Sequence, residues 1–308
     1  MKTLIVLAFV GLFAQIIDGS LGMGYGVTSS SLLLATGIAP PAASAAVHFS
    51  EIGTTLVSGV SHWKLGNVDW RTVGIMAVPG GVGAFAGATI LSNLNGEAAK
   101  PWVAGLLLGL GAYVLYRFLV LGGRRPTFKA RPSARFLVPL GVVGGTMDSL
   151  GGGGWGPVGT TTLLSSGRLE PRKVIGSIDT SEFVVAIGGS LGFLLALGSE
   201  GIRWDIALAL LAGGVVAAPI AAWLVRHLPA RILGVAAGGV IVLTNIKTIV
   251  ESLGATGSTV AILAAAWVVV WLQLLVIAIR AERGPGRFRR SRASSRPEPA
   301  TVPTPPGA

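Results

Sequence analysis

Ionisable side chains inside apolar runs are the residues of this 308-residue chain best suited to chemistry. They are Asp18, His48, Glu51, Asp148, Asp179 and Glu182. A charge near the centre of a bilayer costs at least roughly 2.5–3.5 kcal/mol, so such a residue needs a partner or a function. His48 and Glu51 are three residues apart and share a helix face, and Asp179 and Glu182 have the same spacing. Carboxyl and imidazole groups take up and release protons, so we expect these six residues to carry or gate a coupling proton.

Two glycine-rich segments form the second chemical feature. Residues 18–26 read Asp-Gly-Ser-Leu-Gly-Met-Gly-Tyr-Gly, and residues 148–156 read Asp-Ser-Leu-Gly-Gly-Gly-Gly-Trp-Gly. Glycine lets a backbone leave the helix, and the helix that follows presents an N-terminus that suits an anion. We therefore expect a shared anion site from these glycines and the hydroxyls after them. Its candidate residues are Gly22, Gly24, Gly26, Ser29, Ser30, Gly152, Gly154, Gly156, Thr160 and Thr161.

Each candidate also has a structural alternative. Asp18 and Asp148 stand beside glycine breaks, where an aspartate is a natural cap for the next helix. Glu51 and Glu182 could hold neighbouring helices together, and the glycines could serve close helix packing. A packing motif alone, however, would not repeat the aspartate as well.

The two glycine segments belong to an internal repeat. A shift of 130 residues places segment 18–26 on segment 148–156, and a shift of 131 residues places Glu51 on Glu182. A duplicated unit with glycine-broken backbone inside apolar segments is typical of secondary transporters.

Composition indicates a membrane protein. Apolar residues make up 51% of the chain, charged residues make up 12%, and the mean hydropathy is +0.71. The absence of cysteine excludes disulfides and thiolate sites, and no His/Glu spacing indicates a metal or another cofactor. Seven arginines and two glutamates give residues 280–308 a charge of +5 out of the total of +11. The remaining positive charge lies in short loops, as in cytoplasmic membrane loops, so nucleic acid is not an expected partner.

The pattern predicts an all-α polytopic membrane protein. Each repeat is expected to hold a broken, re-entrant helical hairpin followed by three transmembrane helices, and one extra transmembrane helix follows the second repeat. The predicted parts are a first repeat at 1–121, a basic cytoplasmic loop at 122–135, a second repeat at 136–250, the extra helix at 251–280 and a disordered basic tail at 281–308. Full spans are expected near 43–62, 71–92, 101–121, 173–198, 204–226, 230–250 and 257–279.

Charge counting gives a topology. With the basic loop and tail inside, the loops 37–42 and 93–100 lie outside and 62–71 lies inside. The first hairpin then enters from outside and the second from inside, which makes the repeats inverted because three spans are odd. In the alternative, residues 3–17 cross the membrane fully and the copies are parallel or irregular.

These segments resemble the TauE/SafE family of sulfite-exporter-like membrane proteins over roughly residues 5–250. The likeness is carried by the twin glycine segments, the turn at 37–41 with its counterpart at 167–173, and the equivalent Ser-Glu pairs. It implies transport of small anions, commonly sulfite, sulfoacetate or other organosulfur and carboxylate compounds, across the bacterial plasma membrane. The chain departs from the family in its extra helix, its basic tail, and His48 at the place equivalent to Asp179.

The expected function is therefore a proton-coupled secondary transporter of a small anion that works by alternating access. The expected partners are the anion and the lipid bilayer. A membrane scaffold or assembly factor that acts through the basic tail is the alternative, and deletion of residues 281–308 separates the two. An enzyme is not expected, because the Gly-x-Ser-x-Gly match at 188–192 lies within an apolar span and has no supporting base.

Overall fold

The apolar runs form helices throughout the computed structural model, which describes residues 2–120, 131–166, 168–224, 229–255 and 257–283. Every regular element within those ranges is an α-helix. The helices are α1 Lys2–Leu21, α2 Tyr25–Ala35, α3 Pro40–Lys64, α4 Trp70–Ser92, α5 Gly96–Val120, α6 Ala134–Gly151, α7 Trp155–Ser166, α8 Pro171–Leu197, α9 Trp204–Leu224, α10 Ala230–Ser252 and α11 Gly257–Arg283. Most of the predicted basic loop and nearly all of the predicted tail lie outside the described residues.

The order of helices repeats along the chain. Both α1 and α6 end at a glycine break, a short helix follows, and three long helices come next. The short helices α2 and α7 have 11 and 12 residues, and they form the second arm of each broken hairpin that the sequence predicted. Helix α11 has no counterpart in the first half, as the sequence predicted.

Seven described helices are long and apolar enough to cross a membrane, namely α1, α4, α5, α8, α9, α10 and α11. The sequence analysis also expected seven spans but counted α3 and left out α1. Helix α3 has 25 residues, yet buried polar residues interrupt its apolar character, including His48, Glu51 and Thr55. Helix α1 has 20 residues and a length of about 30 Å, so its length and composition fit a full crossing, the alternative for residues 3–17, as well as one arm of a re-entrant hairpin.

Helices α3 and α8, which are repeat equivalents, pack side by side and run antiparallel. A Cβ on Gly189 of α8 would press on His48 of α3, whereas Ser58 of α3 bonds to Asp179 of α8. Residue numbers thus rise along α3 as they fall along α8. His48 and Asp179 each stand eight residues after the first residue of their helix, or about 12 Å along the axis. Because the helices are antiparallel, His48 and Asp179 lie at different depths, one toward each end of the α3–α8 pair.

The long helices of the two halves pack reciprocally. Helix α1 of the first half packs against α9 of the second, and α6 of the second half packs against α4 of the first. In the same way α3 packs against α9, and α8 packs against α4. Small residues allow the close approach. A Cβ on Gly83 of α4 would overlap the Val142 carbonyl of α6, and one on Gly213 of α9 would overlap the Ala8 carbonyl of α1.

The loops gather into two groups. Ala39 lies against Gly96, and the end of α10 lines a surface cavity together with the start of α5. In the other group, Lys173 Nζ donates to the Val68 carbonyl at 2.8 Å, and Arg231 of α10 donates to the last turn of α5. Charge counting assigned the first group to the outside and the second to the inside, so the contacts join loops that were assigned to the same side.

Helix α11 packs on α10 through two tryptophans. The indoles of Trp267 and Trp271 each donate at 3.0 Å to backbone carbonyls of α10, those of Gly239 and Val235. Most of the remaining α11 surface is apolar and exposed, as expected for a helix that meets lipid.

Candidate functional site

The two glycine breaks lie against each other in the protein interior. We call residues 22–26 and 152–156 the crossed breaks. Gly22 and Gly152 both adopt φ of 67°, in the left-handed region that favours glycine. A Cβ on Gly26 would lie 2.6 Å from the Gly152 carbonyl oxygen, and one on Gly156 would lie 2.8 Å from that of Gly22. The non-helical backbone is thus buried in protein, the condition for tolerating it at membrane depth.

Two hydroxyl groups hold the crossed breaks together reciprocally. Ser30 Oγ donates to the Gly152 carbonyl at 2.6 Å, and Thr160 Oγ1 donates to the Gly22 carbonyl. Because Ser30 and Thr160 are equivalent positions, each half closes the break of the other. The sequence analysis expected both hydroxyls at an anion, whereas here they satisfy the carbonyls that the breaks leave free.

The other two predicted hydroxyls differ from each other. Thr161 Oγ1 donates to the Pro157 carbonyl of its own helix. Ser29 is buried and its hydroxyl has no hydrogen-bond partner, and the neighbouring hydroxyl of Thr28 has none either. Of the hydroxyls predicted to bind an anion, Ser29 is therefore the one that the protein leaves available.

Asp18 and Asp148 cap the helices that follow the breaks. Asp148 Oδ1 accepts from the backbone amides of Gly154 at 2.7 Å and Trp155 at 3.0 Å. Asp18 Oδ1 accepts from the amide of Tyr25 at 3.4 Å. The capping alternative therefore describes both residues, because an aspartate satisfies first-turn amides that no helical carbonyl can reach. Amides expected at an anion, such as that of Gly154, are held by Asp148.

The first acidic cluster consists of His48, Glu51 and Asp148. Their potential ligand atoms all lie within 4.8 Å of one another, and all three side chains are buried. His48 Nε2 lies 3.3 Å from Asp148 Oδ2 and 3.1 Å from the hydroxyl of Ser149. Glu51 Oε2 lies 4.0 Å from His48 Nδ1, and neither Glu51 oxygen has a hydrogen-bond partner.

The second acidic cluster consists of Asp18, Asp179 and Glu182. Their potential ligand atoms also lie within 4.8 Å of one another and are buried. Ser58 Oγ donates to Asp179 Oδ2 at 2.5 Å, and His62 Nε2 lies 3.5 Å from the same oxygen. All six predicted coupling residues thus fall into these two clusters.

The two clusters are equivalent under the repeat, with the roles of the two halves exchanged. Each takes its break aspartate from one half and its helix pair from the other half. The neighbouring side chains also come from the opposite half. The His48 ring packs edge-on to Phe193 with centroids 5.6 Å apart, and Asp179 contacts His62 and Ser58. The equivalent positions are His48 and Asp179, Phe193 and His62, and Gly189 and Ser58.

The clusters place negative charge in an apolar interior. Five buried carboxyl groups face two buried imidazoles, and within the described ranges no lysine or arginine is buried. Ionised carboxylates at this depth require compensation. Protons or bound cations must therefore balance them, and a bare anion is repelled until they do.

Sequence reasoning missed several members of this site. His62 is the last residue of the predicted span near 43–62, yet it is buried, and its Nε2 contacts the Gly19 carbonyl at 3.2 Å. Gln15 is also buried there. A polar amide within the apolar run 3–17 was a signal for Gln15. No spacing could reveal the two trios of potential metal ligands, since each draws residues from both halves.

Comparison with known proteins agrees with this architecture. Residues 7–248 match the family model described as Sulfite exporter TauE/SafE. The chain is 49% identical over 280 residues to Probable membrane transporter protein YtnM of Bacillus subtilis (strain 168), which covers 91% of this chain and 93% of that protein. Probable membrane transporter protein YdhB of the same organism is 25% identical over 142 residues, covering 46% of this chain and 58% of that protein. No solved structure matches the chain. The chain belongs to the TauE/SafE sulfite exporter family and is a membrane transporter.

Proposed function

We propose that the protein is a secondary transporter of small anions, such as sulfite, sulfoacetate or another organosulfur or carboxylate compound. It would lie in a bacterial plasma membrane with its C-terminal tail in the cytoplasm and work by alternating access. The observation that carries this proposal is the pair of crossed breaks, buried against each other between two equivalent halves. Such breaks at a repeat interface are where secondary transporters bind substrate.

The antiparallel pair α3 and α8 supports inverted repeats. Two equivalent helices that lie side by side and run antiparallel are related by a two-fold axis perpendicular to the helices, not by one parallel to them. An axis in the membrane plane is the arrangement in which one half can rock against the other and open the centre to either side.

Ser29 and Thr28 are the proposed anion donors. Both lie in the first turns of α2, and both hydroxyls are buried without a hydrogen-bond partner. A helix N-terminus adds a partial positive charge to these donors. Together they can hold a small oxyanion beside the crossed breaks.

The first acidic cluster is proposed to link the anion to a proton. Asp148 holds the Gly154 amide with one oxygen and faces His48 with the other, at 3.3 Å. A proton gained by His48, Glu51 and Asp148 as a group lowers the negative charge near the anion. It also weakens the hold of Asp148 on the Gly154 amide, which then becomes a donor for the substrate.

Flux measurements on proteoliposomes test the anion site. Sulfite, sulfoacetate and related anions are offered to the wild type, to Ser29→Ala and to the control Ser92→Ala, which removes another buried hydroxyl without a partner. Loss of a hydrogen bond to an ion predicts an increase in KM of about tenfold or more for Ser29→Ala. The melting temperature should not change, since Ser29 bonds to nothing in the protein.

Two results would contradict this proposal. Absence of flux above liposome leak for the whole anion panel would exclude the function. An unchanged KM in Ser29→Ala, or an equal increase in Ser92→Ala, would exclude the site.

A further inference from the structure

We propose that the second acidic cluster is a binding site for a hard cation, such as Na⁺ or Ca²⁺. This inference deepens the proposed function, because the cation would accompany the anion and neutralise the carboxylates near it. The binding itself can be measured without any anion.

The first argument is the set of oxygen atoms that no protein donor reaches. Asp18 Oδ2 and Asp179 Oδ1 are buried and accept from no donor group, the two carboxyl groups lie within hydrogen-bond reach of each other, and Glu182 lies within 4.8 Å of both residues. Hard cations are bound by oxygen at about 2.3–2.6 Å, so two ligands on opposite sides of one ion are separated by about 5 Å. The spacing of the cluster fits a single ion.

The second argument is Gln15, which does not belong to the acidic cluster. Its side chain is fully buried, and neither its amide nitrogen nor its amide oxygen has a partner. Gln15 Nε2 and Ser58 Oγ lie 3.6 and 3.5 Å from the point where a Cβ on Gly19 would stand, so the end of the Gln15 side chain reaches the edge of the cluster. Because no hydrogen bond holds either amide atom, a half-turn of the amide presents Oε1 there in place of the nitrogen. A buried amide without partners is destabilising, and amide oxygens are common ligands of hard cations.

Charge balance is the third argument. His62 Nδ1 lies 3.2 Å from the amide nitrogen of Asn67, and its Nε2 contacts the Gly19 carbonyl. A ring that accepts at one nitrogen and donates at the other is neutral. Three carboxyl groups thus face no fixed positive charge in the described interior. A proton shared by Asp18 and Asp179 neutralises only one of them, and the proposed cation supplies the remaining positive charge.

The first acidic cluster provides a comparison within the same chain. At the position of Asp179 it has His48, whose nitrogens contact the Ser44 carbonyl, Ser149 and Asp148. At the position of Gln15 it has Gly145, which packs on the backbone of α4. The second cluster alone has an all-oxygen ligand set with a spare amide, which favours Na⁺, Ca²⁺ or Mg²⁺ over transition metals.

The test measures cation binding by the full-length protein in detergent with no substrate anion. Melting temperature is followed against NaCl, CaCl₂ and MgCl₂ at constant ionic strength set by choline chloride, and ²²Na⁺ or ⁴⁵Ca²⁺ binding gives the stoichiometry. We expect a saturable rise in melting temperature with at least one of these cations and about one ion per chain.

Matched variants locate the site. Glu182→Gln and Gln15→Met should lose the cation-dependent rise, whereas Glu51→Gln, the equivalent change in the first cluster, should keep it. If Glu182→Gln does not fold, the isosteric Gln15→Met carries the test. Equal loss in Glu51→Gln, or no response of the wild type to any of the three cations between pH 5.5 and 8.5, overturns the site. Cation binding without anion flux would instead contradict only the proposed function.

Discussion

At the scale of single residues, the same contact between helices α3 and α8 occurs twice, once in each acidic cluster. The first cluster fits the larger His48 by having Gly189 beside it, whereas the second fits the smaller Asp179 by having Ser58 there. The two positions on α3 and α8 thus match in size within each cluster. This complementarity predicts how the residues can be exchanged.

Gly189→Ser should destabilise the protein, because even a Cβ at this position overlaps the His48 ring. We expect a cost of about 1–3 kcal/mol, measured as a lower melting temperature. Adding His48→Asp should recover part of that loss, since the double variant reproduces the Asp179–Ser58 pair of the other cluster. Gly105→Ala is the control, with no atom within 4 Å of the new Cβ, and it should melt no lower than the wild type. A double variant less stable than Gly189→Ser would contradict the equivalence.

The six ionisable residues could be predicted from the sequence because charge inside an apolar run is conspicuous, but their partners could not. Helical spacing joined His48 to Glu51, yet it gave no sign that Asp148 would meet them from the other half. Such a contact depends on how the halves dock. The local contact of Asp148 could be foreseen, because an aspartate beside a glycine break is a natural cap for the helix that follows.

At the scale of elements, the crossed breaks depend on hydroxyl donors from the opposite half. Thr160→Val keeps the shape of the side chain but leaves the Gly22 carbonyl buried without this donor. We expect destabilisation of about 1–3 kcal/mol, seen as a lower melting temperature, and a similar effect for Ser30→Ala. Thr89→Val is the control, because its hydroxyl bonds on the exposed surface to the preceding turn of its own helix. Equal melting of Thr160→Val and Thr89→Val would show that the cross-half bond contributes nothing.

The helices themselves followed from the sequence more closely than the bonds between them. Glycine and proline predicted the breaks and the turns, since they alter which backbone angles and hydrogen bonds are available. The sequence analysis counted α3 rather than α1 as a full span. Helix α3 contains so many polar residues that it is not apolar enough to count as a candidate span, whereas α1 is. Ser30 and Thr160 lie at the breaks as expected, and each hydroxyl bonds to a carbonyl of the opposite break, an acceptor that the sequence did not indicate.

At the scale of the whole molecule, the grouping of loops predicts which positions share a membrane side. The chain has no cysteine, so single cysteines can be introduced without a background. Leu94→Cys and Leu253→Cys should react with an impermeant maleimide on intact cells, whereas Lys64→Cys and Glu170→Cys should react only after permeabilisation. All four positions are exposed. Reaction of Lys64→Cys on intact cells would contradict the topology on which inverted repeats depend.

The reciprocal bonds between Ser30, Thr160 and the opposite carbonyls also bear on biosynthesis. While the ribosome is still making the second half, the first must wait in the bilayer with the Gly22 carbonyl lacking its eventual donor. We therefore expect neither half to fold stably without the other. A gene cut between them should yield working protein only when both pieces are made in the same cell.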